Sequence, residues 1–152
     1  MFDLTVFFYG VQGKDLINYT KWWNDFVPSF QTRKSQNALY NSWTPTNTGA
    51  TTPIAETASN ISTNQAVKSY YVENGSYFRA KNIQLALNLP YALTHRLGLE
   101  RARVYLQGVN LFTVTKYKGL DPELGGNDQA FGIDGGQYPN TKQYIFGVNL
   151  SF

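Results

Sequence analysis

With 152 residues, the chain is long enough for one ordinary domain, and 42% hydrophobic residues would suffice for a core. The net charge of +3 is small and dispersed along the sequence, which argues against nucleic acid as a partner. The chain has no cysteine, which excludes disulfides and thiolate metal sites. Its single histidine nearly excludes zinc sites and Ser-His or Cys-His catalysis. We therefore expect no enzyme and no cofactor.

Aromatic residues make up 16% of the chain, while polar residues and glycine keep the mean hydropathy at −0.36. This mixture is typical of strands whose two faces meet different solvents. No apolar run approaches the ~18 residues of a transmembrane helix. The first ten residues lack the basic segment and cleavage site of a signal peptide, so we expect a piece of a longer exported protein.

The first two predicted strands cover about residues 2–12 and 77–89. Apolar side chains alternate along both of them, at Phe2, Leu4, Val6 and Phe8 and at Ile83, Leu85, Leu87 and Leu89. Such period-2 alternation gives a strand one apolar face. Glycines close the first strand, and Pro90, which cannot donate a backbone hydrogen bond, ends the second.

The third predicted strand, about residues 101–115, changes parity along its length. Val104 and Leu106 share one face, whereas Val109 and Leu111 lie on the other. One inserted residue re-aims every side chain beyond it, so we expect a bulge near Gly108.

The fourth predicted strand, about residues 143–152, has the length and alternation of one transmembrane β-strand. Its even positions are apolar or aromatic: Tyr144, Phe146, Val148, Leu150 and Phe152. We interpret Tyr144 and Phe152 as anchors at the two membrane interfaces.

The connections between these strands are long, short and long: about residues 13–76, 90–100 and 116–142. The first is predicted to carry a short helix over residues 15–26, capped by Asp15 and stopped before Pro28, and irregular coil over residues 41–64. This order of lengths is typical of an outer-membrane barrel, with large outer loops and a tight periplasmic turn.

Several blocks, in order along essentially the whole chain, resemble the closing region of SusC/RagA-type TonB-linked outer-membrane proteins. They are WTPTNT at 43–48, YFRAKNI at 77–83, LP at 89–90, RVYLQGVNLFTVT at 103–115, YKGLDPE at 117–123, DGGQYP at 134–139 and FGVNLSF at 146–152.

The resemblance implies a barrel of about 22 strands, closed by an N-terminal plug, in the outer membrane of a Gram-negative bacterium. Such proteins import oligosaccharides or peptides with energy relayed by TonB, usually beneath a SusD-like surface lipoprotein that acts as a lid. The plug and the TonB-interacting segment would precede Met1, so no residue here is assigned to energy coupling.

The expected fold class is therefore all-β: an antiparallel transmembrane segment over residues 1–152 that forms the last four strands of a larger barrel. Four strands cannot close a membrane barrel, which takes at least about eight, and open edges in lipid are costly. The partners implied are the remaining strands, the plug, the lipid bilayer, the lipoprotein and TonB. The alternative from the strand pattern is a soluble carbohydrate-binding β-sandwich.

Three groups of residues are candidates for sites. Trp22, Trp23, Tyr40 and Trp43 would contact substrate or the lid, because aromatic faces stack on sugar rings. The terminal strand resembles the signal read by the barrel-assembly machinery, carried by Phe146, Val148, Leu150 and Phe152. Weak calcium candidates are Asp121, Asp128 and Asp134, near Glu123 and Asn127, although their spacing matches no EF-hand loop.

Overall fold

The computed structural model describes residues 1–25, 34–55, 69–123 and 130–152. Eight strands account for most of the regular structure: β1 (Phe2–Val11), β2 (Asp15–Asn18), β3 (Val72–Asn74), β4 (Tyr77–Asn88), β5 (Arg101–Val109), β6 (Thr113–Thr115), β7 (Ile133–Asp134) and β8 (Gln143–Ser151). The helices are short: α1 (Thr20–Asp25), α2 (Gln36–Asn41), α3 (Tyr91–Thr94) and 3-10 turns at Ser69–Tyr71 and His95–Leu97. The prediction of a mostly β chain is confirmed.

The chain divides into two units, each described here by itself. The sheet unit comprises Met1–Gln12, Tyr77–Thr115 and Asn140–Phe152. The connection unit comprises Gly13–Ser76 and Lys116–Pro139, which are the two long connections of the sequence.

The sheet unit is an antiparallel sheet in the order β1-β4-β5-β8, with β6 also paired to β4. Its register places apolar residues opposite one another across all four long strands. The rungs are Phe2-Leu87-Val104-Val148, Leu4-Leu85-Leu106-Phe146 and Val6-Ile83-Gly108-Tyr144. Because side chains alternate across a strand, these rungs form one continuous apolar face.

The bulge predicted near Gly108 is present just beyond that residue. Val109 pairs with Asn82, but Thr113 pairs with Arg79, so residues 110–112 oppose only two residues of β4. Asn110 supplies the turn because it adopts a positive φ of 51°, which asparagine tolerates better than most residues.

The bulge returns Leu111, but not Val109, to the apolar side. A Cβ on Gly108 would lie 2.6 Å from Leu111 Cδ2, so the leucine covers the glycine on that face. Val109 remains on the opposite face, because β5 pairs with β4 without interruption up to that residue.

The connection unit contains a second sheet, in the order β3-β2-β7. β2 pairs antiparallel with β3 and parallel with β7, through Ile17↔Ile133 and Asn18↔Asp134. Residues of the first long connection are therefore hydrogen-bonded to residues of the second, and the two connections fold as one body.

The predicted helix over residues 15–26 is wrong in its first half. Residues 15–18 form β2, and α1 begins only at Thr20. Leu16 and Asn18 are both buried, as alternation in a strand allows, and Leu16 packs against Gly75, where a Cβ would be 2.5 Å from its Cγ. Tertiary packing therefore overrides the helix signal in residues 15–18. The predicted end of the helix, at residues 26–28, lies outside the described residues.

The region predicted as coil from residue 41 follows an unpredicted helix, α2. Its N-cap is Ser35, whose Oγ accepts a hydrogen bond from the Ala38 amide at 3.0 Å and donates one to Asp25. Beyond the helix, an isolated bridge joins Ser42 and Thr52, and the described part of the segment ends at residue 55.

Candidate functional site

The apolar face of the sheet is open, because no described element of the sheet unit covers it. Leu106, at its centre, is 58% exposed, and Phe146 beside it is 69% exposed. Other large exposed side chains on the same face are Phe2, Leu4, Val6, Leu85, Leu87, Val148 and Leu150. An uncovered apolar surface of this extent marks a site of interaction with a membrane or a protein.

The opposite face of the same sheet is largely polar. It carries Asp3, Thr5, Asn82, Gln84, Asn88, Arg103, Gln107, Asn149 and Ser151. Tyr105 lies over Gly147, where an added Cβ would clash with the ring, and Arg103 Nη2 lies 3.3 Å from Asp3 Oδ2. The two faces are therefore suited to different environments, as the sequence predicted.

The antiparallel order also separates the connections. β1 ends and β4 begins at one end of the sheet, where Val11 pairs with Tyr77, and β8 begins there too. The short turn between β4 and β5 lies at the other end, near the start of β1 and the end of β8. Both long connections thus leave the sheet from the same end.

The four assembly-signal candidates lie on β8 or just beyond it. Phe146, Val148 and Leu150 belong to the apolar face, and Phe152 follows the end of the strand, 86% exposed. β8 is one edge of the sheet and β1 is the other, so in the part of the chain that the structure describes neither has a partner along its outer edge. Such edges are ready to pair with further strands.

The four predicted aromatic contacts do not form a single cluster. Trp22 and Trp23 pack edge to face with centroids 4.3 Å apart, and Tyr19, which the sequence analysis did not select, stacks on Trp22 at 5.3 Å. Tyr40 is exposed on α2 and has no ring neighbour among the described aromatic residues.

Trp43 lines a separate, mostly apolar cavity of about 350 Å³. The other lining residues are Asp25, Lys34, Ala38, Leu39, Ser42, Thr44, Pro45, Ile54 and Ala55. A cavity of this size accepts one large side chain or one sugar ring, and it forms because the bridge Ser42↔Thr52 brings residues 42–55 back beside α2.

A polar cavity of about 680 Å³ also lies in the connection unit. Sequence reasoning did not find it, because its residues come from separate segments and share no motif. They are Asn18, Thr20, Lys21, Asn24, Asp25, Ser35, Asn37, Thr51, Thr52, Ser69, Tyr70 and Lys118.

Asp25 holds the wall of the polar cavity together. Its carboxylate is buried and accepts hydrogen bonds from Ser35 and from the Tyr70 hydroxyl, the latter at 2.5 Å. Asn37 Nδ2 donates to Thr52 Oγ1 at 3.1 Å and to the Tyr70 hydroxyl at 3.2 Å. Burial, followed by the hydrogen bond to Asp25, raises the pKa of the Tyr70 phenol, so it stays protonated as a donor.

Other groups of the polar cavity remain open to a ligand. The side chains of Asn24, Thr51 and Ser69 have no hydrogen-bond partner among the described residues, and all three are exposed at its mouth. A carboxamide and two hydroxyls donate and accept without charge. The cavity can therefore bind a ligand that offers several neutral hydrogen-bonding groups.

A partly buried ion pair lies beside this cavity. Lys21 Nζ is 2.5 Å from Glu73 Oε1, and the Lys118 amide donates to Glu73 Oε2 at 2.9 Å. Burial alone would raise the pKa of Glu73, but the hydrogen bonds from Lys21 and Lys118 outweigh it and the pKa is lowered. Glu73 therefore stays ionised and fixes the first long connection to the second.

The acidic residues of the second long connection serve hydrogen bonds within the unit. Asp134 is 1% exposed and accepts from the Tyr117 hydroxyl at 2.5 Å and the Gly136 amide at 2.9 Å. Asp121 accepts from the Glu123 amide. No group of three metal-binding side chains gathers within residues 1–25, 34–55, 69–123 and 130–152, and Asp128 lies outside these ranges. The geometry thus gives the calcium hypothesis no support.

No protein-family model matches the chain. Among curated proteins, it is 34% identical over 158 residues to TonB-dependent receptor P3 of Formosa agariphila, across 99% of this chain and 15% of that receptor. It is also 36% identical over 89 residues to TonB-dependent receptor SusC of Bacteroides thetaiotaomicron, across 57% of this chain and 8% of SusC.

Among solved structures, the chain resembles the RagAB peptide importer. The open-open state of that importer matches 99% of this chain and 16% of the other chain, with a TM-score of 0.79 and 35% identity. The closed-closed state matches with a TM-score of 0.78 and 36% identity. The chain thus spans about 15% of the length of TonB-dependent receptor P3. By sequence and by fold, it corresponds to a segment of the TonB-dependent receptors of the SusC/RagA type.

Proposed function

We propose that this chain is part of an outer-membrane importer that takes up nutrients in a TonB-dependent way, with transport and not catalysis as its role. The observation that carries the proposal is the continuous apolar face, exposed on four paired strands of nine to twelve residues. Strands of this length and pattern suit the hydrocarbon core of a membrane. The similarity to TonB-dependent receptors and to a peptide importer supports the same conclusion.

In this proposal, the sheet is the last four strands of a barrel of about 22, and the remaining strands pair with β1 and β8. The polar face then lines the barrel interior beside the plug. A soluble β-sandwich is less well supported, because it would need a second sheet sealing the apolar face. Within the sheet unit, no described residues provide one.

The localisation that follows is the outer membrane of a Gram-negative bacterium, with the short turn in the periplasm and both long connections outside. A SusD-like surface lipoprotein would cover that outer side, and TonB would act through parts of the importer beyond this chain. The comparison with SusC and RagAB supports these partners without assigning any residue to them.

The substrate is an oligosaccharide or a peptide. We propose that it contacts the open groups of the polar cavity and Trp43 in the apolar cavity. The two cavities are neighbours, because Asp25 lines both of them. Trp22, Trp23 and Tyr40 are proposed contacts for substrate or lid, because they present aromatic surface without lining either cavity.

The test is uptake by cells that carry the intact importer. Labelled peptide and oligosaccharide mixtures are supplied to wild-type cells, to cells lacking the importer and to cells lacking TonB. We expect one class of label to accumulate only when both the importer and TonB are present. If each class of label accumulated equally in all three strains, the proposal would be contradicted.

The terminal phenylalanine provides a second test, of barrel assembly. Deleting Phe152 from the intact importer is expected to lower the amount of folded protein in the outer membrane, because the closing strand loses its exposed final aromatic. Heat-modifiable migration of the folded barrel on gels measures this amount. Ser151→Ala, at the preceding and polar position, is the matched control and should assemble like the wild type. Equal assembly of the Phe152 deletion would show that the residue has no such role.

A further inference from the structure

The polar cavity carries charged as well as neutral side chains, and each charge can be followed to its neighbours. The lining includes two ammonium groups, Lys21 and Lys118, and one carboxylate, Asp25. Lys21 is paired with Glu73, with 2.5 Å between Nζ and Oε1. The charge of Lys21 is therefore compensated at the wall of the cavity.

The charge of Asp25 is also compensated within the connection unit. Ser35 donates a hydrogen bond to Oδ1 of the carboxylate, and the Tyr70 hydroxyl donates one to Oδ2. Lys34 lies close enough to Asp25 to respond to its charge. Burial lowers the pKa of Lys34, and attraction to Asp25 opposes this lowering. Asp25 thus has donors on both oxygens and a cation nearby.

Lys118 provides the charge that remains. Its side chain is exposed, and among the described residues it has no hydrogen-bond or ion-pair partner. The other two charged groups of the lining are compensated, so the cavity keeps one positive charge. A polar surface with a single uncompensated cation attracts an anionic group of a ligand.

The backbone that carries this ammonium is held in place. The Lys118 amide donates to Glu73 Oε2 at 2.9 Å, and the preceding Tyr117 is buried, with its hydroxyl bonded to Asp134 at 2.5 Å. Asp134 in turn pairs with Asn18, another residue of the cavity lining. The flexible stem of the lysine therefore starts from an anchored segment of the cavity wall.

The chemistry of the lining defines the ligand group that fits it. An ammonium has three donors and no acceptor, so it binds best to an anionic group that only accepts, such as a carboxylate. Asn24, Thr51 and Ser69 at the mouth of the cavity suit hydroxyl or amide groups. A volume of about 680 Å³ is within the usual range of small-ligand sites, so one ligand can reach both kinds of group.

We propose that the polar cavity selects substrates that carry a carboxylate, which Lys118 binds. Hydroxyl or amide groups next to this carboxylate bond to Asn24, Thr51 and Ser69. The inference rests on the proposed function, because that function brings the substrate to this cavity. The carboxylate comes from an acidic residue of a peptide or from an acidic sugar of an oligosaccharide.

The experiment offers the purified intact importer two matched pairs of probes. One pair consists of synthetic peptide pools that differ only in having glutamate or glutamine at one position. The other consists of uronic-acid oligosaccharides and the same oligosaccharides after chemical reduction of their carboxyl groups. Each pair is supplied in equal amounts, and mass spectrometry of the retained fraction gives the ratio of acidic to neutral probe. We expect an excess of acidic probe in at least one pair, and that pair identifies the source of the carboxylate.

Lys118→Gln is expected to lower this ratio about fivefold, because a hydrogen bond to a charged group is worth more than one between neutral groups. The backbone amide of the variant still donates to Glu73, so the fold should persist, and unchanged hydrogen exchange at β2 and β3 checks this. Lys118→Arg keeps the charge and should keep the excess. Lys116→Gln is the matched control, because Lys116 is an exposed lysine of the same connection that does not line the cavity.

The outcomes separate this inference from the import function. The carboxylate inference is overturned if the wild type retains acidic and neutral probes equally in both pairs, or retains none of the four. It is also overturned by an unchanged ratio in Lys118→Gln, or by an equal fall in Lys116→Gln. In each case the import function stands as long as cells with the importer accumulate label in a TonB-dependent way. Absence of that accumulation in the wild type would contradict the import function, whatever the ratio.

Discussion

Leu106→Arg is expected to destabilise the membrane-embedded importer by about 2–4 kcal/mol, the cost of an arginine near the middle of the lipid-facing side of a barrel. Leu106 lies at the centre of the apolar face, between Leu85 on β4 and Phe146 on β8. An arginine there would place a charge in hydrocarbon, and its partners on the neighbouring strands offer no hydrogen bond. Denaturant unfolding of the importer in bilayers measures the change.

Gln107→Arg is the matched control for this substitution. It introduces the same side chain one residue along β5, where alternation directs it to the polar face beside Gln84. We expect a change within about 0.5 kcal/mol, the usual range for a surface substitution. If Leu106→Arg were as mild as Gln107→Arg in a bilayer, the apolar face would not be in contact with hydrocarbon, and the proposed function would lose its main support.

Glu73→Gln is expected to loosen the connection unit by about 3 kcal/mol, because it leaves the Lys21 ammonium without its ion-pair partner in a largely buried position. The side chains of Lys21 and Glu73 are 21% and 10% exposed, so water replaces the lost partner only in part. Hydrogen exchange at the amides of β2 and β3 reports local opening of this unit. A loss of 3 kcal/mol corresponds to exchange faster by about two orders of magnitude.

Acid should act in the same direction on the wild type. The pKa of Glu73 is lowered from its ordinary value of 4.5, so its contribution is present above that value and is lost as the pH falls through the lowered pKa. After correction for the intrinsic pH dependence of exchange, wild-type protection should fall in this acidic window. Glu73→Gln should show no such fall, because its side chain does not titrate.

Glu100→Gln is the control. It also removes a carboxylate, but Glu100 belongs to the sheet unit, is exposed, and has no side-chain partner among the described residues. Its exchange at β2 and β3 should equal that of the wild type at every pH. Exchange in Glu73→Gln that also equals the wild type would show that the ion pair does not hold the two connections together.

The positions of the long strands and a bulge near Gly108 follow from local sequence, whereas the residue that carries the positive φ of the bulge does not. A long run of alternating apolar and polar residues identifies a strand and its apolar face, because a shift of one residue would move the whole apolar set to the other face. The bulge depends on which residue accepts a positive φ, and both Gly108 and Asn110 are able to do so. Packing of Leu111 over Gly108 selects Asn110, and a single sequence does not reveal that contact.

The helix predicted over residues 15–26 failed for a similar reason. Residues 15–18 have no strong preference of their own, and they become a strand because β3 and β7 supply hydrogen-bond partners on both sides. Those partners are more than fifty residues away in sequence. Local propensity is a weak guide when the competing interaction is a long-range strand pairing.

The sequence by itself determined the two-faced strands, their long, short and long connections, and the resemblance to SusC/RagA-type receptors. These features depend on side-chain period and on residue order, which a chain carries in every conformation. Only the tertiary structure decided how the connections fold: the Lys21–Glu73 ion pair, the Tyr117–Asp134 hydrogen bond and the polar cavity around Asp25. Each of these joins residues distant along the chain, and burial gives them their strength, so they exist only once the fold has excluded water.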